Sequence, residues 1–239
     1  MDTTEQHHLN SIAGVSMYAS GVNSDTIRYS FKIAQRYLVG DNILELGAAE
    51  GVMTELLIST GKELTVVEGA DIFCQNLRKR YPEITVVHSL FEEFQPTQLY
   101  DNIILGHVLE HVKNPELVLT LAKRWLTPDR GIIFAAVPNG RSLHRQAGVI
   151  MGLLKSEYDL NDADIHHGHR IVFSPESFRN IFYRAGLMIK VFGGYWMKPV
   201  SNRQIEESWT PEMLDAFMQL GERYPDIAGE IYIVASIGE

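Results

Sequence analysis

A chain of 239 residues with 45% hydrophobic content is long enough for one α/β domain with additions and can bury a full core. A formal charge of −9 without any basic stripe argues against bulk nucleic acid binding. The single cysteine, Cys74, excludes an internal disulfide, and the longest apolar run, IIFAAV, is too short to span a bilayer, so a soluble cytoplasmic protein with no membrane partner is expected.

Within 23–38 the apolar residues Ile27, Phe31, Ile33, Ala34, Tyr37 and Leu38 recur at helical spacing and close on Gly40, which predicts a helix. Strands and helices alternate after it. Strands are expected over 43–46, 64–68, 84–88, 102–105 and 132–137. Helices are expected over 53–60 and 72–81, and from the Asn114-Pro115 cap to about 126. Five strands alternating with helices predict a parallel, doubly wound sheet. Residues 140–173 then break the regularity, being rich in His, Asp, Gly and Arg around one apolar stretch, VIMGLL. Ser174-Pro175-Glu176 caps a further helix, stopped by Gly186. Two last strands, 187–192 and 231–237, flank a long excursion that carries a helix over 210–224. No repeat or linker divides the chain, so a single domain over 1–239 is expected. Its parts are an N-terminal helical lid (1–40), a cofactor-binding core (41–140), a substrate-pocket insertion with its helix (141–185), and C-terminal strands with the helical excursion (186–239). The excursion either caps the site or forms a homodimer contact.

The stretch 43–51, ILELGAAEG, is a short apolar run ending in an acid, followed by a small-residue bend that opens into a helical pattern. Such a turn lets a cofactor press against bare backbone at the carboxyl end of a sheet. A second apolar run, LTVVEGAD, ends in Glu68, a carboxylate suited to the vicinal hydroxyls of a ribose. A dinucleotide fingerprint needs glycine at its first, third and sixth positions, and from Gly47 these hold Gly47, Ala49 and Val52, so it fails twice. No Lys-Ser or Lys-Thr pair follows, which excludes a P-loop. The stretch resembles the first motif of class I S-adenosylmethionine-dependent methyltransferases, acid-x-Gly-x-Gly-x-Gly. Glu45, Gly47 and Gly51 match it, and Ala49 replaces the middle glycine. Alanine still allows close approach if the bend stays at negative φ, which is the expectation here. The competing reading is an ordinary strand–helix turn of another α/β protein.

The resemblance implies a Rossmann-like, doubly wound seven-stranded sheet, mostly parallel with an antiparallel last strand, and S-adenosylmethionine as cofactor, leaving S-adenosylhomocysteine as product. Carried onto this chain, it gives Glu45, Gly47, Ala48, Ala49 and Gly51 to the methionine site and Glu68, with Gly69 and Ala70, to the ribose. Ser89 would reach the adenine amino group, and Leu90 and Phe91 would flank the ring or else plug the core. The segment YDNIILGHVLEHVKNP resembles the ubiquinone-biosynthesis type of small-molecule methyltransferase, which implies that Gly106 and His107 lie beside the methionine part and face the acceptor. The implied reaction is direct SN2 methyl transfer to O or N of a small-molecule acceptor. Its requirements are in-line placement, exclusion of water and, where needed, a base near the working pH.

His107 is the first candidate catalytic base, with His111 and His169 second. Glu110-His111 also reads as a packing and capping pair. Spacing offers a metal-assisted alternative. If a helix begins at His107, then His107, Glu110 and His111 share one face, and His166, His167 or His169 supplies a further ligand. Small-RNA end methyltransferases bear a similar Glu-x-x-Glu-His motif, but here His107 stands at the first acid. The stretch HHGHRIVFSPESF resembles one that walls the acceptor pocket in small-molecule methyltransferases, which implies His169, Arg170 and Phe173 as substrate-binding residues. Arg170 suits a carboxylate or phosphate on the acceptor, or an ion pair with Asp159, Asp162 or Asp164. Tyr18, Tyr195 and Trp196 are pocket aromatics or core. A reading from another class is a scaffold that binds the cofactor and methylates nothing.

Overall fold

The computed structural model of the chain describes residues 3–238 apart from Val15 and Met17, so the outermost residues of the expected domain lie outside the described ones. Two helices, α1 (Thr3–Ala13) and α2 (Gly21–Ala34), precede the alternating region. That region runs β1 (Asn42–Leu46), α3 (Val52–Ile58), β2 (Glu63–Glu68), α4 (Asp71–Arg80), β3 (Thr85–His88), β4 (Asn102–Gly106), α5 (Pro115–Trp125) and β5 (Ile132–Pro138). The remainder comprises α6 (Leu143–Ile150), α7 (Asp162–His166), α8 (Pro175–Arg184), β6 (Leu187–Tyr195), α9 (Asn202–Ser208), α10 (Pro211–Gly221) and β7 (Glu230–Ile237).

All seven strands form one sheet in the order β3-β2-β1-β4-β5-β7-β6. Strands β1 to β5 pair in parallel, while β7 is antiparallel to both of its neighbours, as the family resemblance implies. The central strands read as unbroken apolar runs because helices cover both faces of the sheet. Successive side chains of β4 show the division: Ile103 and Leu105 join the core under α5 and α8 with Phe178 and Phe182, and Ile104 joins the opposite core with Ile33, Leu57 and Phe134.

The sheet's direction positions the site. Ligands of open α/β sheets gather beyond the carboxyl ends of the parallel strands. Because β7 runs the other way, it begins at that edge, and its first residue, Glu230, is in register with Pro138 of β5 and Tyr195 of β6. Helix α2 ends at Ala34, earlier than the predicted 38, and Tyr37 and Leu38 pack against the core from the connection that follows. The stretch after β4 is a turn, not the helix on which a shared His107/Glu110/His111 face depended. Helix α5 starts only at Pro115, where the Asn114 side chain accepts the Leu117 N–H at 3.0 Å. In the C-terminal excursion α9 packs on α2 and α10 on β6. Among the described residues no helix is long and apolar enough to cross a membrane.

Candidate functional site

The first bend is built of backbone held in left-handed conformations. Gly47 has φ 73°, and its N–H donates to the Val67 carbonyl at 2.9 Å. A Cβ at Gly47 would stand 2.9 Å from Val108 Cγ2, so only glycine leaves this surface open. Ala49 departs from expectation, since its φ is 46° and not negative. A left-handed alanine costs about 1 kcal/mol. Against that cost, the Ala49 N–H donates to Glu68 Oε2 at 3.1 Å. The other oxygen of Glu68 accepts the Ala70 N–H at 2.7 Å, so one carboxylate ties the bend after β1 to the bend after β2. Burial pushes the Glu68 pKa up, while its backbone N–H partners pull it back.

Four residues expected at the cofactor, Glu45, Gly51, Ala48 and Gly106, do not line the cavity that gathers the others. Glu45 is buried beneath the bend, where it accepts the Thr54 hydroxyl at 2.7 Å and ties β1 to α3. Burial raises its pKa to about 8, with the Thr54 hydrogen bond opposing the shift. Gly51, at φ 84°, caps α3 and lets Leu77 pack, since a Cβ there would come within 2.7 Å of Leu77 Cδ2. Ala48 and Gly106 wall a small recess below the main cavity, shared with Met53 and His107.

The main cavity, about 360 Å³, gathers Gly47, Ala49, Glu68, Gly69, Ala70, Ser89, Leu90, Phe91 and His107 on one surface. Leu90 and Phe91 thus line the cavity, and Phe91 also packs against the core behind it. Ser89 donates its hydroxyl to the Leu90 carbonyl at 2.8 Å and keeps its acceptor capacity. Helix α1 forms the roof. Leu9 lies over Gly69, Ile12 over Gly168, and the Gln6 amide donates to the Gly69 carbonyl. Glu5 fastens this roof from below, pairing with Lys113 at 2.6 Å and Arg170 at 2.8 Å. The residues fit a nucleoside with an amino-acid tail: a glycine cradle that a Cβ would fill, a carboxylate with lone pairs left for hydroxyls, and an apolar slot for a base.

Beyond His107 lies a second cavity of about 460 Å³, of different character. His107 and Tyr18 wall both cavities, so the two meet at this pair. His107 has φ 59°, which turns the chain out of β4 and sets the ring across the junction. Its Nδ1 lies 3.5 Å from Glu110 Oε1 and 3.7 Å from Glu230 Oε2, and its Nε2 meets the Tyr195 hydroxyl at 3.0 Å. Burial alone would depress the His107 pKa, but Glu110 and Glu230 outweigh it, and the net shift is upward. Burial raises Glu230 to about 7. Glu110 is buried too, yet its pKa falls because His107 and the neighbouring imidazoles favour its charge.

His111 and His169 form a separate pair with ring centres 4.7 Å apart. Burial takes His111 down to about 4, so it is neutral at physiological pH, and its Nε2 meets the Tyr18 hydroxyl at 3.0 Å. His169 Nδ1 lies 3.2 Å from Asp164 Oδ1. Ligand atoms of Glu110, His111 and His169 come within 4.8 Å of one another, the set that the turn brings together in place of the helical face through His107. Three such donors are one short of a closed tetrahedral shell. Arg170 neither lines the second cavity nor pairs with Asp159, Asp162 or Asp164, since its guanidinium holds Glu5 of the roof. Asp164 is paired instead with Arg145 at 2.9 Å. Phe173 is core.

Sequence reasoning missed Glu230, Lys198, His144 and Arg145, all walls of the second cavity. The one local signal was an acid at the start of the last apolar run.

The profile described as "Methyltransferase domain" matches residues 22–190. A curated ubiquinone biosynthesis O-methyltransferase from Pasteurella multocida is 28% identical over 130 residues, 48% of this chain and 53% of that protein, so the matched part spans about half of that relative's length. Among solved structures, the CcbJ methyltransferase from Streptomyces caelestis superposes with a TM-score of 0.64 at 13% identity, covering 93% of this chain and 99% of that one. The glycopeptide N-methyltransferase MtfA, in complex with S-adenosyl-L-methionine, gives 0.59 at 14% identity, covering 89% and 87%. With a glycine bend and a buried carboxylate that ties it to the next bend at the carboxyl edge of a 3-2-1-4-5-7-6 sheet, and with the family profile covering most of its length, the chain belongs to the class I S-adenosylmethionine-dependent methyltransferases.

Proposed function

We propose that this chain moves a methyl group from S-adenosylmethionine to an oxygen or nitrogen of a small molecule by direct displacement. The observation that carries this reading is the meeting of two cavities at His107 and Tyr18, one suited to the cofactor and one walled by buried polar groups. The cofactor, when bound, supplies an electrophilic methyl on a sulfonium, which needs little more than placement in line with a nucleophile. In this reading Gly47 and Ala49 hold the amino-acid tail, Glu68 the ribose hydroxyls, and Leu90 and Phe91 the base, with Ser89 beside it. Helix α1 keeps water out. Glu110 and Glu230 stand 3.5 and 3.7 Å from the His107 Nδ1 and orient the imidazole by charge. The acceptor's proton then passes to the His107 imidazole, whose charged form Glu110 and Glu230 favour. His111 and His169 serve as a supporting pair that seats Tyr18 at the junction.

Titration calorimetry with S-adenosylhomocysteine tests the cofactor site. The wild-type chain is expected to bind saturably, and Glu68→Ala to bind at least about tenfold more weakly, because charge-assisted hydrogen bonds of this kind contribute roughly 1.5–3 kcal/mol. Full-strength binding by the variant, or none by the wild type, would sink the reading.

A further inference from the structure

The second cavity carries one lysine that no ion pair holds among the described residues. Lys198, just past the end of β6, lines it together with Trp196 and His144. The Lys198 ammonium stands 4.6 Å from the centre of the Trp196 ring. Among the described residues no carboxylate comes within the 4.0 Å of an ion pair with it. Glu230 shares the cavity but is engaged with His107, and Asp164 is taken by Arg145. The Trp196 Nε1–H is buried without an acceptor, and so is the His144 Nδ1. An indole N–H and an ammonium can only donate, so Trp196 and Lys198 are both short of an acceptor, and His144 joins them in its Nδ1–H tautomer.

We propose that the acceptor carries an anionic oxygen group, a carboxylate or a phosphate, that seats on Lys198 with Trp196 Nε1–H and His144 beside it. This rests on the reading of the second cavity as the acceptor pocket. The sequence offered Arg170 for such a role, but Arg170 is spent on the roof, and Lys198 is the cation left facing the cavity. Burial lowers the Lys198 pKa to about 8 against the opposing pull of Glu230 and Asp164, and an anion seated beside it would favour its charged form. Burial, with Lys198 and Arg145 nearby, holds His144 neutral, so it contributes a hydrogen bond and no charge. The geometry divides the pocket in two. The nucleophile lies toward His107, and the anionic group lies at the Lys198 corner, which fixes the acceptor's direction relative to the methyl.

The test uses the full chain loaded with S-adenosylhomocysteine and three matched probes: phenylacetate, phenyl phosphate and neutral 2-phenylacetamide. At least one anion is expected to bind about tenfold or more tightly than the amide, and which of the two does so identifies the group. Lys198→Met should erase that preference and leave S-adenosylhomocysteine affinity intact, and Lys198→Arg should keep much of it. Lys198→Gln supplies the neutral variant if the methionine form does not fold. Equal binding of amide and anions, or an anion preference that persists in the neutral variant, overturns the proposal while the cofactor site stands. Failure of S-adenosylhomocysteine to bind the wild-type chain would instead remove the methyltransferase reading beneath it.

Discussion

The two cavities that meet at His107 are built by opposite means. On the proposed cofactor side the polar groups are mainly main-chain atoms and one carboxylate, gathered by two consecutive strand–helix bends that are near neighbours in sequence, with Leu90 and Phe91 supplying the apolar slot. On the acceptor side they are charged side chains drawn from β7, the loops after β4 and β6, and the insertion around α6 and α7. A surface made of backbone is fixed once the sheet forms, because the strand ends set it. Side chains brought together by distant pairings can change one at a time without disturbing the sheet. In the proposed reading, the half built of backbone suits a cofactor shared by a family, and the half built of side chains suits one acceptor.

Gly47→Val is the hardest test of that division. It forces a β-branched residue into φ near 73° and drives a Cβ to within 2.9 Å of Val108. If backbone carries the cofactor site, S-adenosylhomocysteine affinity should fall about 100-fold or more while the sheet survives, as read by calorimetry beside circular dichroism. Near-wild-type affinity would mean that side chains carry the site after all.

The same division explains what could be read in advance. The strand alternation, the bends at Gly47 and Gly51 and the acid at Glu68 were legible because each is a local pattern that the backbone itself requires. Ala49 was misjudged because a sequence shows that alanine disfavours left-handed φ, but not that Glu68 accepts its N–H in return. The helical face through His107, Glu110 and His111 failed because His107 turns out of β4 at positive φ and the next helix waits for Asn114-Pro115. Glu230 and Lys198 were out of reach for a different reason. Glu230 stands beside His107 only because β7 pairs antiparallel with both β5 and β6, and nothing near Glu230 in sequence records those pairings. For Arg170 the ion-pair alternative to a substrate role holds, but with none of the three aspartates named for it, because its partner Glu5 lies at the far end of the chain on α1.

Glu45 probes the boundary between the halves, as a buried acid that supports the cofactor bend without touching the cavity. Its pKa is raised from 4.5 to about 8 on folding, so the native state binds more protons than the unfolded chain between those values. Stability from this group is full below pH 4.5 and is lost as pH rises through about 8. Glu45→Gln keeps an acceptor for Thr54 and removes the charge. Thermal melts between about pH 5 and about pH 9 should show the wild-type Tm dropping about 8 °C or more further than the variant's. Parallel curves for the two proteins would show that Glu45 stays ionised in the folded chain.

The smallest effect is expected where the two halves are clasped. Glu5 of α1 holds Lys113, in the turn after β4, and Arg170, on the insertion, so a single carboxylate shuts the roof over the cofactor while touching the acceptor segment. A partly exposed ion pair contributes only about 0.2–1 kcal/mol, so Glu5→Gln should leave Tm within about 2 °C of wild type. The same fraction of a kcal/mol placed on a moving element acts on rate, and the departure of S-adenosylhomocysteine should quicken about two- to fivefold in stopped-flow measurements. High salt should reproduce the change in the wild-type chain and add little in the variant, because screening and substitution remove the same contact. If the variant instead loses S-adenosylhomocysteine affinity as deeply as Glu68→Ala, then α1 is part of the binding surface itself, and the cofactor half is less purely backbone than its glycines suggest.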